Sequence, residues 1–116
     1  MTTIDEAKKQ ILESNYFADK ETVSELFDEH QSLKMDGAFF MELMEKNDFR
    51  YLNFADDSMY SNPKIMLTAY EHHHDNSEIL DDYLPNHLKN DHDFMVERLD
   101  AIERGEQREN EMEMQM

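Results

Sequence analysis

The sequence predicts an all-α fold, a small single-domain bundle of about five short helices in which stacked helical hairpins are one arrangement. Three observations carry that expectation. The chain has 116 residues, the size of a single domain, since domains typically hold about 100–150 residues. It contains only two glycines and two prolines, too few turn formers for the many hairpins of an all-β domain. Its apolar residues recur three and four positions apart behind Thr, Asp and Asn residues suited to capping a helix.

Five main helices are expected near residues 3–14, 19–31, 36–47, 62–74 and 90–104, with shorter turns at 50–60 and 77–88. Thr3 and Glu6 form a capping-box pattern that opens the first helix and aligns Ile4, Ala7, Ile11 and Leu12 on one face. Asp19 opens the second, with Val23, Leu26 and Phe27 on one side, and Asp36 the third, with Phe39, Phe40, Leu43 and Met44 as core. The segment Phe49 to Phe54 alternates imperfectly and has a short strand as its alternative, although no second segment offers it a partner. Asn62 followed by Pro63 is a helix start ahead of the stripe Met66, Ala69, Tyr70 and His73. Asn90 or Asp91 opens the last helix, whose Phe94, Met95 and Leu99 are assigned to the core with Ile102 beyond them. Met41, Met59 and Met66 suit gap-filling in that core or a pliable contact surface. Gly105 is expected to stop the last helix, dividing the chain into an acidic helical domain over 1–104 and a flexible acidic tail over 105–116.

A weak internal repeat runs through the middle of the chain. Asp36, Asn62 and Asp91 are each followed, after two residues, by three apolar ones, and each is preceded at three residues by Leu33, Met59 or Leu88. Over roughly Leu33 to Leu99 the pattern resembles short helical repeats of uncharacterised viral and protist proteins, a resemblance that implies stacked helical hairpins and no particular activity.

Chemistry-bearing motifs are few. Glu71-His72-His73-His74-Asp75 holds metal-ligand residue types, and His87 and His92 could join them if the chain folds back. Successive helical residues point about 100° apart, so three adjacent histidines cannot converge on one ion, and the H-E-x-x-H pattern is absent. The run is read as a solvated helix C-terminus, where imidazole suits the negative end of the helix dipole, with no metal and no cofactor assigned. There is no Gly-rich phosphate loop, no G-x-S-x-G elbow and no cysteine, and neighbouring carboxylates such as Asp56 with Asp57, or Asp81 with Asp82, do not make an acid–base pair in a pocket. The chain is read as a non-enzyme.

Charge is the strongest signal. Acids outnumber bases 28 to 11, for a formal net charge of −17. Such a chain is repelled by phosphate, so neither nucleic acid nor an anionic membrane is an expected partner. The absence of cysteine suits a reducing compartment, and no signal peptide or membrane span is evident, so a cytoplasmic location is expected, in a host cell if the chain is phage-encoded. Between Asp48 and Asp93, ten acids face only Arg50, Lys64 and Lys89. The carboxylates around the Asn62 helix, Asp56, Asp57, Glu71, Asp75, Glu78, Asp81 and Asp82, are therefore the expected partner contacts, as those least open to neutralisation within the chain.

In general character the chain resembles phage-encoded acidic DNA mimics that block restriction or CRISPR effectors, without matching a motif of any of them. That resemblance implies an inhibitor that occupies the positively charged nucleic-acid-binding surface of a larger protein, a nuclease or CRISPR effector. B-DNA carries about one negative charge per 1.7 Å of axis, a density that carboxylates on a helical surface can approach. The alternative is a non-catalytic helical-repeat module or adaptor for protein–protein interaction. A mimic binds with strong salt dependence, whereas an adaptor with an apolar groove tolerates salt.

Overall fold

The computed structural model describes residues 2–114, with side chains through Glu109, and among these residues all regular structure is helical. The α-helices are α1 (Ile4–Glu13), α2 (Lys20–Glu29), α3 (Gly37–Lys46), α4 (Asp57–Tyr60), α5 (Pro63–His72), α6 (Ser77–Asp81), α7 (Asn86–Lys89) and α8 (His92–Met114), with 3-10 turns at Gln31–Met35, Phe49–Phe54 and His74–Asn76. Each of the five expected helices is present. The connecting segments, expected as turns, form further short helices, so the described chain has more helical elements than five, and the last helix is 23 residues long.

Local chemistry explains the starts. Thr3, Asp36, Asn62 and Asp91 each accept a backbone N–H of the first turn with the side chain, satisfying donors that a helix leaves open at its start. Asp19 does not cap α2 in this way; its carboxylate turns back to accept the Asn15 N–H at 2.8 Å. At the other end of α1, the Asn47 amide donates to the carbonyls of Leu12 and Ser14 at 2.9 and 3.0 Å, closing acceptors that α1 leaves open. Phe49–Phe54 is a 3-10 turn, not a strand. Asp48 accepts the Arg50 N–H at 2.9 Å and starts the turn, and the i, i+3 spacing of a 3-10 turn sets the Tyr51 and Phe54 rings 6.4 Å apart.

The three Asx-capped helices α3, α5 and α8 run in the same direction. Gly37, at the start of α3, faces Ile65 and Asn62 at the start of α5, and the Met44 carbonyl near the end of α3 accepts from His73 Nε2 at 2.8 Å, just past the end of α5. The same order holds from α5 to α8: the Arg98 guanidinium sits 4.9 Å over the Tyr70 ring, Arg104 pairs with Glu71, and Glu109 pairs with His74. α5 thus lies between α3 and α8. The residues preceding each Asx, Leu33, Met59 and Leu88, are all buried, as are Phe39, Ile65 and Phe94 three residues after it.

One core holds the molecule together. Tyr51, Tyr70, Phe27, Phe40 and Phe49 are the largest fully buried side chains, and Phe27 stacks with Phe40 and Phe54 at 5.9 and 5.3 Å. Met59 and Met66 belong to this core, while Met41 packs against its edge. Leu99, expected within it, is 60% exposed. Phe94, Arg98, Ala101 and Gly105 form the face of α8 turned inward, and Leu99 falls about 100° round the helix from Arg98.

Gly105 does not stop α8. The helix passes through it to Met114, so the tail expected from 105 is helical through 114, and 115–116 lie outside the described residues. The glycine is needed for packing. A Cβ built there would lie 2.1 Å from the Glu71 carbonyl oxygen and 2.9 Å from the His74 ring. Its backbone has no positive φ, so the helix runs through it without strain.

Candidate functional site

The seven expected contact carboxylates divide into two groups once the chain is folded. Glu71 and Asp81 are neutralised from within. The Glu71 carboxylate accepts from Arg104 Nε and Arg108 Nη2, both at 2.7 Å, and its side chain is only 18% exposed. Burial pushes its carboxyl up, but the hydrogen bonds and charges of the two arginines outweigh that and hold it below the usual carboxylate range. Asp81 accepts a two-pronged pair from Arg98 Nε and Nη2, each at 2.9 Å, and the Tyr70 hydroxyl at 2.6 Å. Burial, reinforced by that carboxylate, drives the Tyr70 hydroxyl well above the ordinary phenol range. The expectation that these two acids escape internal neutralisation is therefore corrected: the bases come from α8, 17 to 37 residues further along the chain.

The others face solvent. Asp57, Glu78 and Asp82 are exposed, and among the described residues none has a Lys or Arg within ion-pair distance. Asp56 is exposed too, and its carboxylate accepts the Ser58 hydroxyl at 2.7 Å and the Ser58 N–H at 3.1 Å. Those hydrogen bonds hold its carboxyl below the usual range. Asp75 is 79% exposed and lies 3.1 Å from His74 Nδ1.

The segments bearing Asp57 and Asp82 meet through aromatic side chains. The Tyr60 ring at the end of α4 lies 5.9 Å from the Tyr83 ring after α6. The Tyr83 hydroxyl donates to the side-chain Oδ1 of Asn53, and Asn53 Nδ2 donates to the Tyr16 hydroxyl, both at 2.9 Å. Beside this network opens a cleft of about 380 Å³, lined by Ser24, Phe27, Asp28, Lys34, Asn53, Phe54, Ala55, Asp56 and Asp57. Its one base, Lys34, lies 3.5 Å from Asp28, so the Asp56 and Asp57 side of the cleft keeps its charge.

The histidine run has three separate surroundings. His72 lies 3.3 Å from Arg108 on the surface of α5. His73 is drawn inward, against the Phe49 ring at 5.5 Å, and its Nε2 hydrogen bond to the Met44 carbonyl requires the proton on that nitrogen. Burial lowers its pKa. His74 sits between Asp75, at 3.1 Å from Nδ1, and Glu109, at 2.8 Å from Nε2. The solvated C-terminus expected for this run is thus corrected for His73 and for the 12%-exposed His74 side chain.

A second cleft of about 300 Å³ lies here, lined by Glu71, His72, His74, Asp75, Gly105, Arg108 and Glu109. His74, Asp75 and Glu109 offer ligand atoms within 4.8 Å of one another, the donor types a divalent cation takes. With one imidazole, both of whose nitrogens already face carboxylates, the geometry is that of a clasp between α8 and the end of α5.

Sequence reasoning missed Arg98, Arg104, Arg108 and Glu109 as partners of this region. A signal existed: Arg98, Ala101, Gly105 and Arg108 share one helical stripe, small residues between arginines, as expected of a helix packed closely on an acidic neighbour. Among the described residues no helix is long and apolar enough to cross a membrane. No family model matches the chain, and no match is found among curated proteins or among solved structures.

Proposed function

We propose that this chain acts without catalysis, by docking an exposed carboxylate surface onto a basic protein, and that its target surface is one that otherwise holds nucleic acid. The observation that carries the reading is the allocation of charge. Lys8, Lys34, Lys46, Arg50, Arg98, Arg104 and Arg108 each lie within 4 Å of a carboxylate of the chain itself. Asp56, Asp57, Glu78 and Asp82 have no such base among the described residues, and the net charge stays at −17. A surface of that kind steers toward a positive groove, and a phosphate-binding channel is the commonest groove of that sign. The contact set is Asp56, Asp57, Asp75, Glu78 and Asp82; Glu71 and Asp81 support the fold instead.

A second reading is favoured by one specific observation, the recurrence of a buried Leu or Met, an Asx cap and a long helix in α3, α5 and α8. It takes these elements as stacked helical hairpins forming an adaptor. Competition separates the two. Titrated against a basic nuclease loaded with labelled DNA or guide RNA, a mimic releases the nucleic acid, with an effect that fades as salt rises. A stable ternary complex with unchanged nucleic-acid affinity refutes occlusion and leaves the adaptor. In the mimic case, reversing Asp56 and Asp57 together to Lys abolishes release while the fold is kept, since Asp57 is only an exposed charge and losing the Asp56 cap on the short α4 costs about 1 kcal/mol.

A further inference from the structure

The outward face of α8 carries an apolar stripe that the rest of the fold would lead one to find covered. Counted from its Asx cap, the eighth residue is Met44 in α3 and Tyr70 in α5, both fully buried, and Leu99 in α8, 60% exposed. The fourth is Phe40 and Met66, both fully buried, and Met95, which is only half-buried. Tyr70 is covered by the following helix, through the Arg98 guanidinium 4.9 Å above its ring. Among the described residues no helix follows α8. Met95, Leu99 and Ile102, at i, i+4 and i+7, share that side with the 44%-exposed Val96.

We infer that this stripe is a docking surface for an amphipathic helix of a partner protein, one with an apolar stripe flanked by Lys or Arg. The apolar residues fix the helix-in-groove mode, in which side chains three and four apart enter a facing row. Charge fixes the occupant. Along its solvent side the stripe is bordered by the exposed acids Asp100 and Glu103, and Glu106 continues it one turn on. Two copies of this chain meeting there would oppose these acids to their own likenesses and bring together two bodies of charge −17 each, whereas lysines flanking a partner's stripe would pair with them. The inference rests on the proposed function only in the positive sign of the partner's charge, and it uses none of the carboxylates around α4 and α6.

The test uses the full chain and a synthetic helical peptide of about five turns, with leucines at i, i+3, i+4 and i+7 and lysines on both flanks, together with Leu-to-Ser and Lys-to-Glu versions. Fluorescence anisotropy should show the Lys/Leu peptide binding and both altered peptides binding at least about tenfold more weakly, the loss expected when one large apolar contact goes. Leu99→Asp should weaken the Lys/Leu peptide equally, although the new carboxylate adds attraction for lysine. Leu99→Ser serves if the aspartate variant fails to fold. Undiminished binding to the Leu99 variants, or equal binding of the Leu-to-Ser peptide, overturns the proposal. If Asp56→Lys with Asp57→Lys abolishes peptide binding and the Leu99 variants do not, the surface is wrong while the basic-partner reading stands. Sedimentation showing a dimer dissolved by Leu99→Asp also overturns it, making a second copy the occupant.

Discussion

Replacing Gly105 by alanine separates two accounts of the C-terminal segment, because they differ in sign. If residues beyond 105 formed a loose tail, alanine would extend the helix and stabilise it by about 1 kcal/mol, the difference in helix propensity between the two residues. In the structure the added methyl lies 2.1 Å from the Glu71 carbonyl oxygen and 3.1 Å from its carbon. A backbone carbonyl inside α5 cannot swing aside as a side chain can, so the helices must part by roughly 1 Å or more to restore van der Waals distance. Overpacking of this kind costs about 1–3 kcal/mol, occasionally more. The approach to backbone places this case at the upper end, and parting the helices also lengthens the Glu71 pairs with Arg104 and Arg108 and the His74–Glu109 contact. Subtracting the propensity gain leaves a net loss of about 2 kcal/mol, or roughly 6–12 °C in Tm for a domain of this size. Thermal and urea unfolding followed by circular dichroism at the helical band measure it. A variant as stable as the parent, or more so, would refute the close crossing of α5 and α8.

The same substitution at Gly37 should behave oppositely: a Cβ there meets only Ile65 and Asn62 atoms at 3.8 and 3.9 Å, so Gly37→Ala is expected to be neutral or to stabilise by up to about 1 kcal/mol in the same melts. Asp81→Ala should cost about 1–2 kcal/mol, since the Tyr70 hydroxyl and the Arg98 guanidinium lose their acceptor, with water moderating the loss at a site 38% exposed; Asp82→Ala should stay within about 0.5 kcal/mol. Acid should destabilise the fold in two stages. His73 has a lowered folded pKa, so its contribution is whole above the ordinary histidine value near 6.5 and declines as pH falls below it. Glu71, also lowered, loses its contribution as pH falls from the ordinary carboxylate value near 4.5 through its own folded pKa. Urea midpoints measured across this range should fall in both windows in the parent. The upper step should be lost in His73→Gln, and an unchanged upper step in that variant would remove His73 as its cause.

How far the sequence could be read depends on how local each determinant is. The helix starts were legible because a cap is made within three residues: Thr3, Asp36, Asn62 and Asp91 all bond to N–H groups of their own first turn. Even the exception is local, since Asp19 bonds four residues back to Asn15. The buried stripes of α2, α3 and α5 follow from helical period alone, and all of Val23, Leu26, Phe27, Phe39, Phe40, Leu43, Met44, Met66, Ala69 and Tyr70 are buried as expected, whereas in α1 Ala7 and Ile11 are buried, Leu12 packs against the core and Ile4 is 41% exposed. Period could not say which face of α8 meets a neighbour, for that helix has two: an apolar face with Leu99 and a mixed one with Arg98, Ala101 and Gly105. The second won because the small residues let α8 approach α5 closely while the arginines found carboxylates there.

That choice of face also decides which charges remain. Counting acids and bases along a stretch of sequence treats neutralisation as a neighbourly matter, and between Asp48 and Asp93 it leaves the acids nearly alone. Folding makes neutralisation a matter of which helices lie side by side, and α8 brings three arginines across α5 and α6 to Glu71 and Asp81. Two consequences follow together from one packing event. The arginines that fasten α8 are spent on Glu71 and Asp81, so the side of the molecule near α4 and the end of α6 keeps Asp56, Asp57, Glu78 and Asp82 as its charge. And because α8 turns its arginine face inward, it must turn Leu99 outward. Exchanging the roles of these faces, by Arg98→Leu with Leu99→Arg, tests the link directly: Asp81 and Tyr70 lose their partner, the exposed apolar stripe is interrupted, and stability and peptide binding should fall together. Full stability in that double variant would mean that the Arg98 contact does not choose the face, and that Phe94, Ala101, Gly105 and the Arg104 and Arg108 pairs dock the helix without it.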